Sequence, residues 1–243
     1  GKRIVLKTQE NVPFMGWSLD PIMLARLGLA KDLKQRFSDT IDAWQWYPCG
    51  MGHYGGYYEM VRESNMRFYT YSIKDCDKSD TRFTSPAWEF RHFDLEMLPV
   101  TAMAVNEMLL QSYEGAVRLF PACPEDFTGG FYLRAENGIA VTAQMTGGKT
   151  DYALYTASAD TVLSVFAEKG QYDFYSGSGE KTAAADYDGE RSVYRMPIKK
   201  GEDILMTPFG ITPGQITVRE IGLSENTDYK RHNRATLGIE KMY

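Results

Sequence analysis

Asp94 and Glu96 stand two residues apart, just ahead of Pro99 and a long apolar run. Carboxylates entering a helix N-terminus feel the favourable end of its dipole and stay ionised. An ionised carboxylate held in a cleft is what a general base requires. The same arrangement serves as a plain helix cap, because acidic side chains satisfy the free N–H groups of a first turn. Spacing alone does not separate the two uses. His92 lies beside the acid pair, and His53 lies within CGMGHYGGYYEM. Imidazole titrates near neutrality and suits proton transfer or hydrogen bonding to a bound molecule. The glycines around His53 permit close backbone approach. Trp46 and Trp88, with Trp17 and Trp44, offer ring faces on which a sugar could stack. Each indole equally suits a core, Trp44 most of all, since it continues an apolar helical face. Glu96 and Asp94 are therefore the candidate catalytic groups, and His53, His92, Trp46 and Trp88 the candidate substrate-binding groups.

Other chemistries find no support in the residues. Cys49, Cys76 and Cys123 have no zinc spacing, and free thiols are expected, with a Cys49–Cys76 bridge as the alternative in an exported chain. GGKT at 147–150 has Ala143 where a phosphate loop needs its first glycine, and SGSGEKT at 176–182 has Glu180 where that motif wants its second. There is no G-x-S-x-G and no H-E-x-x-H. No metal or cofactor is called for.

The elements that must position these groups change character along the chain. Asp20-Pro21 reads as a helix start, an acid cap followed by proline at the first helical position. A second helix opens at Lys31-Asp32, with Leu33, Phe37, Ile41 and Trp44 along one face. The two predict a helical hairpin. Residues 45–92 show little periodicity. From Pro99 to Gln111 the apolar residues Val100, Ala102, Met103, Ala104, Val105, Met108, Leu109 and Leu110 cover nearly the whole circumference of a helix over 99–113. A helix apolar all round is expected to be buried among several neighbours. Beyond 116 the period becomes 2. Asn137-Gly138 joins two alternating runs, the strongest short hairpin signal, and Gly147-Gly148 and Asp188-Gly189 are further turns. Strands are expected near 151–157, 161–167, 171–175, 191–198, 203–206 and 215–221. This order predicts an α+β chain, helical over 1–115 and an antiparallel β-sandwich over 116–243.

Composition narrows the function classes. The 243 residues are 43% hydrophobic, enough for a sizeable core. A net charge of −5 argues against a nucleic-acid partner. No apolar run is long enough for a membrane span, and no stretch of the given sequence reads as a signal peptide. Gly1 reads as a cut end, so the chain is expected to be a piece of something longer.

Two stretches carry a resemblance. NEMLLQSYEGAVRLFPACPEDF (106–127) and LRAENGIAVTAQMTGGK (133–149) resemble the end of the catalytic barrel and the following β-domain of glycoside hydrolase family 95. That family is known for inverting α-L-fucosidases and related α-L-galactosidases. The resemblance is carried by Glu107-Met108-Leu109-Leu110-Gln111-Ser112, Phe120-Pro121-Ala122-Cys123-Pro124 and Leu133-Arg134-Ala135. It implies that the apolar helix belongs to an (α/α)6 barrel of which this chain holds a remnant, followed by a whole β-sandwich. It implies an exported, extracellular or periplasmic protein acting on a glycan. The family's general base is an aspartate upstream of that helix, and counting back by its spacing from Glu107 reaches Glu96, or Asp94 if the loop is shifted. The family's Gly-Asn-Phe-Gly context is replaced here by Met97-Leu98-Pro99-Val100. The catalytic acid is implied to lie in the missing N-terminal part of the parent. An inverting mechanism needs both carboxyls, roughly 6.5–9.5 Å apart. The parent is thus expected to hydrolyse a terminal glycosidic bond and the isolated chain to be inactive; the alternative is a non-catalytic structural or carbohydrate-binding protein of the same descent.

Overall fold

The structure, a computed structural model, describes residues 19–43, 45–46, 52–53, 97–182, 186–219, 230–232 and 235–237. The chain divides into two units, Gly1–Ala104 with Ser224–Tyr243, and Val105–Leu223. Among the described residues there are three α-helices and many short strands, an α+β composition.

In the first unit, α1 (Asp20–Arg26) and α2 (Ala30–Ala43) form the expected hairpin. Pro21 sits in the first turn, where its missing N–H is no loss. The cap differs from expectation. Leu19 holds the cap position, where its side chain makes no capping hydrogen bond, and Asp20 is already helical. Its buried carboxylate lies 3.8 Å from the Arg36 guanidinium on α2. Gly28 ends α1 in the left-handed region, with φ 67°. Leu24 and Leu33 are fully buried; Trp44 lies outside the described residues. A two-stranded ladder, β1 (Gln45–Trp46) with β2 (Gly52–His53), follows.

The third helix, α3, runs from Met97 to Leu109 and crosses from the first unit into the second. It is not buried all round. Val100 and Ala104 pack with Ile22 and Phe37, while Ala102 and Asn106 are exposed and Met103 is 48% exposed. It also stops four residues short of expectation, for a reason its own pattern does not contain. Leu110-Gln111 (β3) pair with Arg118-Leu119 (β4). The returning chain then gives its N–H groups to the last turn: Phe120 N–H donates to the Leu109 carbonyl at 2.7 Å and Ala122 N–H to the Met108 carbonyl at 3.3 Å. Carbonyls that every helix end leaves free are satisfied there by the following strand.

The second unit holds two antiparallel sheets. One has five strands in the order β5 (Gly129–Arg134), β6 (Ile139–Thr146), β7 (Lys149–Ala157), β12 (Asp203–Pro208), β9 (Tyr172–Ser176). The other has three, in the order β10 (Asp186–Asp188), β11 (Val193–Ile198), β8 (Thr161–Phe166). Alternation decides what each face presents. Along β6, Ile139, Val141, Ala143 and Met145 are buried and their neighbours are not. They join Phe131, Tyr155, Phe174, Ile204 and Met206 of the larger sheet and Leu163, Val165, Met196 and Ile198 of the smaller in one hydrophobic cluster. Each fully buried aliphatic side chain contributes roughly 1.5–3 kcal/mol. At the β5–β6 turn Asn137 and Gly138 both have positive φ, 58° and 72°, and Ile139 N–H closes the turn on the Glu136 carbonyl. Gly147-Gly148 turns β6 into β7, and a Cβ on Gly148 would come 2.7 Å from the Glu125 carbonyl oxygen. Over 215–219, the described part of the strand expected at 215–221, no strand forms: Pro213–Gln215 is a single 3-10 turn under a Thr212 capping box, and 216–219 are without regular structure.

One buried acid pins the loop after β12. Asp173 is 6% exposed, accepts the Gly210 N–H at 2.9 Å and lies 2.8 Å from Lys181 Nζ. Burial raises its pKa, but the Lys181 and Gly210 hydrogen bonds and the Lys181 charge together outweigh that and hold it below the ordinary carboxylate value. A carboxyl depressed in the folded state contributes stability above its unfolded pKa and loses it as pH falls through the folded one. Asp173→Asn is therefore expected to cost about 1–2 kcal/mol at neutral pH, and distinctly less in strong acid. Urea denaturation at both pH values checks this; an equal loss at both would show that the charge contributes nothing.

Candidate functional site

Glu96, Asp94, His92 and Trp88 lie outside the described residues. Trp46 and His53 fall on the β1–β2 ladder, where Trp46 pairs with Gly52 and His53 with Gln45, one register step apart along the backbone. No group of three or more His, Cys, Asp or Glu residues that could hold a metal ion occurs among the described residues. No helix among them is long and apolar enough to cross a membrane.

A different constellation is built in the second unit. Val117 forms a parallel bridge with Val165 of β8, and both side chains are in the core. Their successors, Arg118 and Phe166, therefore fall side by side on the opposite face. The Arg118 guanidinium lies 3.8 Å above the Phe166 ring centre. The β10–β11 turn brings up a second cation. Arg191 N–H donates to Asp188 Oδ1, Ala167 N–H donates to the Ser192 carbonyl, and the Arg191 guanidinium stands 5.9 Å from the same ring. Ser192 holds a positive φ of 54°, a conformation a side chain adopts only when its surroundings impose it. Glu114, on the turn at Gly115, serves both cations. Its carboxylate takes Arg118 Nη2 at 2.5 Å and its carbonyl takes Arg191 Nη2 at 3.1 Å.

These groups border an open cavity of about 310 Å3, completed by Ala167, Glu168, Gln171 and Ser192. That lies at the small end of the range for small-molecule sites, about 300–1,000 Å3. Gln171 Oε1 accepts the Glu168 N–H at 3.2 Å, which sets the loop between β8 and β9. None of these residues stood out in the sequence; the only available signal was an arginine after an inward valine. Cys123 is not a reactive candidate: burial pushes its thiol up to about 12, and Sγ donates to the Met108 carbonyl.

No family model matches the chain, that of glycoside hydrolase family 95 included, and no curated protein sequence matches it. Among solved structures, a GH127 β-L-arabinofuranosidase from Geobacillus stearothermophilus T6 is similar over 78% of this chain at 12% identity and a TM-score of 0.28. The chain spans 40% of that enzyme's length. A TM-score of this size carries no argument about fold or activity.

Proposed function

We propose that this chain is part of a glycoside hydrolase resembling family 95, whose parent hydrolyses a terminal glycosidic bond with inversion outside the cell or in the periplasm. In this reading the two sheets are the leaves of the family's β-sandwich. The supporting observation is the agreement between motif and elements from 106 to 149. Residues 107–109 end α3 and Leu110-Gln111 form β3, Phe120 and Ala122 return to the last carbonyls of the helix, and Leu133-Arg134 complete β5 before the Asn137-Gly138 turn. The run thus joins helix to sheet as one continuous junction. Glu96 would take a proton from the attacking water while a carboxylic acid elsewhere in the parent protonates the departing oxygen, breaking the bond to the anomeric carbon. Carrying one side of that pair, the isolated chain is expected to show no turnover of aryl fucosides or galactosides, while the parent releases the sugar with inverted anomeric configuration by NMR. Turnover by the chain alone, or a retained anomer from the parent, overturns the reading.

A specific observation favours a second reading, a non-catalytic glycan-binding protein of the same descent. The helix begins at Met97, directly after Glu96, so helical backbone takes the place of a glycine-flanked loop. Glycan binding without sugar release by the parent would support it.

A further inference from the structure

We infer that the Arg118–Phe166–Arg191 cavity is a second carbohydrate subsite, taking one neutral sugar residue of the glycan; this rests on the glycan-active reading above. Charge decides the ligand class. Of the two guanidiniums, Arg118 is paired with the Glu114 carboxylate and Arg191 meets the Glu114 carbonyl, while Glu168 adds a carboxylate to the cavity wall. A free anion would find the Arg118 charge already partnered and would face the Glu168 carboxylate. A polyhydroxyl ring meets complementary groups on every side. Each guanidinium uses Nη2 on Glu114, and Nε and Nη1 of both donate to no protein group among the described residues. These are planar donor pairs at fixed spacing. The exposed Glu168 carboxylate supplies the acceptor for a sugar hydroxyl, and the Gln171 amide lines the same wall, held by the Glu168 N–H at Oε1 and by the Tyr172 hydroxyl at Nε2. The edge of Phe166 and its stacked guanidinium provide the flat wall against which a ring packs.

The cavity is also pre-formed. Glu114 holds both arginines from one turn, so little side-chain freedom is lost on binding. Such a site would hold the substrate chain without touching the reacting bond.

The test is an NMR titration of the 15N-labelled 243-residue chain with methyl α-L-fucopyranoside, methyl β-D-galactopyranoside and D-galacturonate. The Gln171 side-chain amide and the Arg118 and Arg191 Nε–H signals are expected to shift with at least one neutral glycoside, with an affinity unchanged by added salt. Arg191→Ala is expected to weaken binding at least tenfold. Glu168→Gln, on an exposed loop, serves as the second variant and should weaken it severalfold. Tighter binding of galacturonate, or shifts confined to residues away from 118, 166–171 and 191–192, overturns the inference. So does silence with all three sugars. Any of these leaves the hydrolase reading standing, because that rests on turnover by the parent. Absent turnover leaves a positive titration standing in turn.

Discussion

Replacing Tyr155 by alanine is expected to remove about 3–5 kcal/mol from the stability of the β unit. Tyr155 sits on β7, the middle strand of five, and is fully buried. Its ladder neighbours are Val141 on one side and Ile204 on the other, both in the shared cluster. Truncation opens a ring-sized hole where the surrounding backbone is held by hydrogen bonds on both edges and cannot collapse. The hydroxyl matters far less. It donates only to Met206 Sδ at 3.7 Å, a weak bond. Burial, and then the nearby Tyr172, push the phenol pKa far above the ordinary value, so it stays neutral at any working pH. Tyr155→Phe is therefore expected to cost about 1 kcal/mol or less. Urea unfolding of the two variants separates the contributions. A loss under about 1 kcal/mol for alanine would mean that the sheets do not share a packed core.

The second large effect belongs to the parent enzyme of the proposed reading. Glu96→Gln is expected to lower kcat by about 10²–10⁴, the usual contribution of a positioned base. The glutamine keeps the shape and removes the proton acceptor, so KM should hardly move. The acid limb of the kcat/KM profile should vanish with it. Asp94→Asn is expected to cost less than about tenfold, because one carboxylate, not two, activates the water. If the losses are exchanged, Asp94 is the base and the register shifts by two. If neither variant matters, the non-catalytic reading stands in its place.

How much of this was legible beforehand follows from the range of each signal. The Asn137-Gly138 turn is local: two residues that tolerate positive φ, flanked by alternation, leave the backbone little choice. The helical hairpin was legible for the same reason, since Pro21 marks the first turn and Leu33 lies on the apolar face that the spacing of the second helix defines. The end of α3 was not, because it depends on Phe120 and Ala122 coming back to its last turn. Nor was the described part of the 215–221 segment, 215–219, where alternation lost to the local turn chemistry of Pro213-Gly214. The arginine pair over Phe166 was invisible, because it exists only once Val117 bridges Val165, far along the chain. The resemblance pointed to Glu96 and Asp94, which lie outside the described residues.

The strand order of the larger sheet carries a temporal consequence. β5, β6 and β7 are successive in the chain and pair as they emerge, but β7's other partner is β12. About 45 residues separate the two strands, and at roughly 5–20 residues per second the ribosome delivers them in about 2–9 s. Throughout that interval a nascent sheet edge stands unpaired, with Tyr155 and Leu154 uncovered along it. Anything that stalls translation between 158 and 202 lengthens the period in which neighbouring nascent chains can zip onto one another, so yield in the cell should respond to codon choice there more sharply than anywhere else in the β unit.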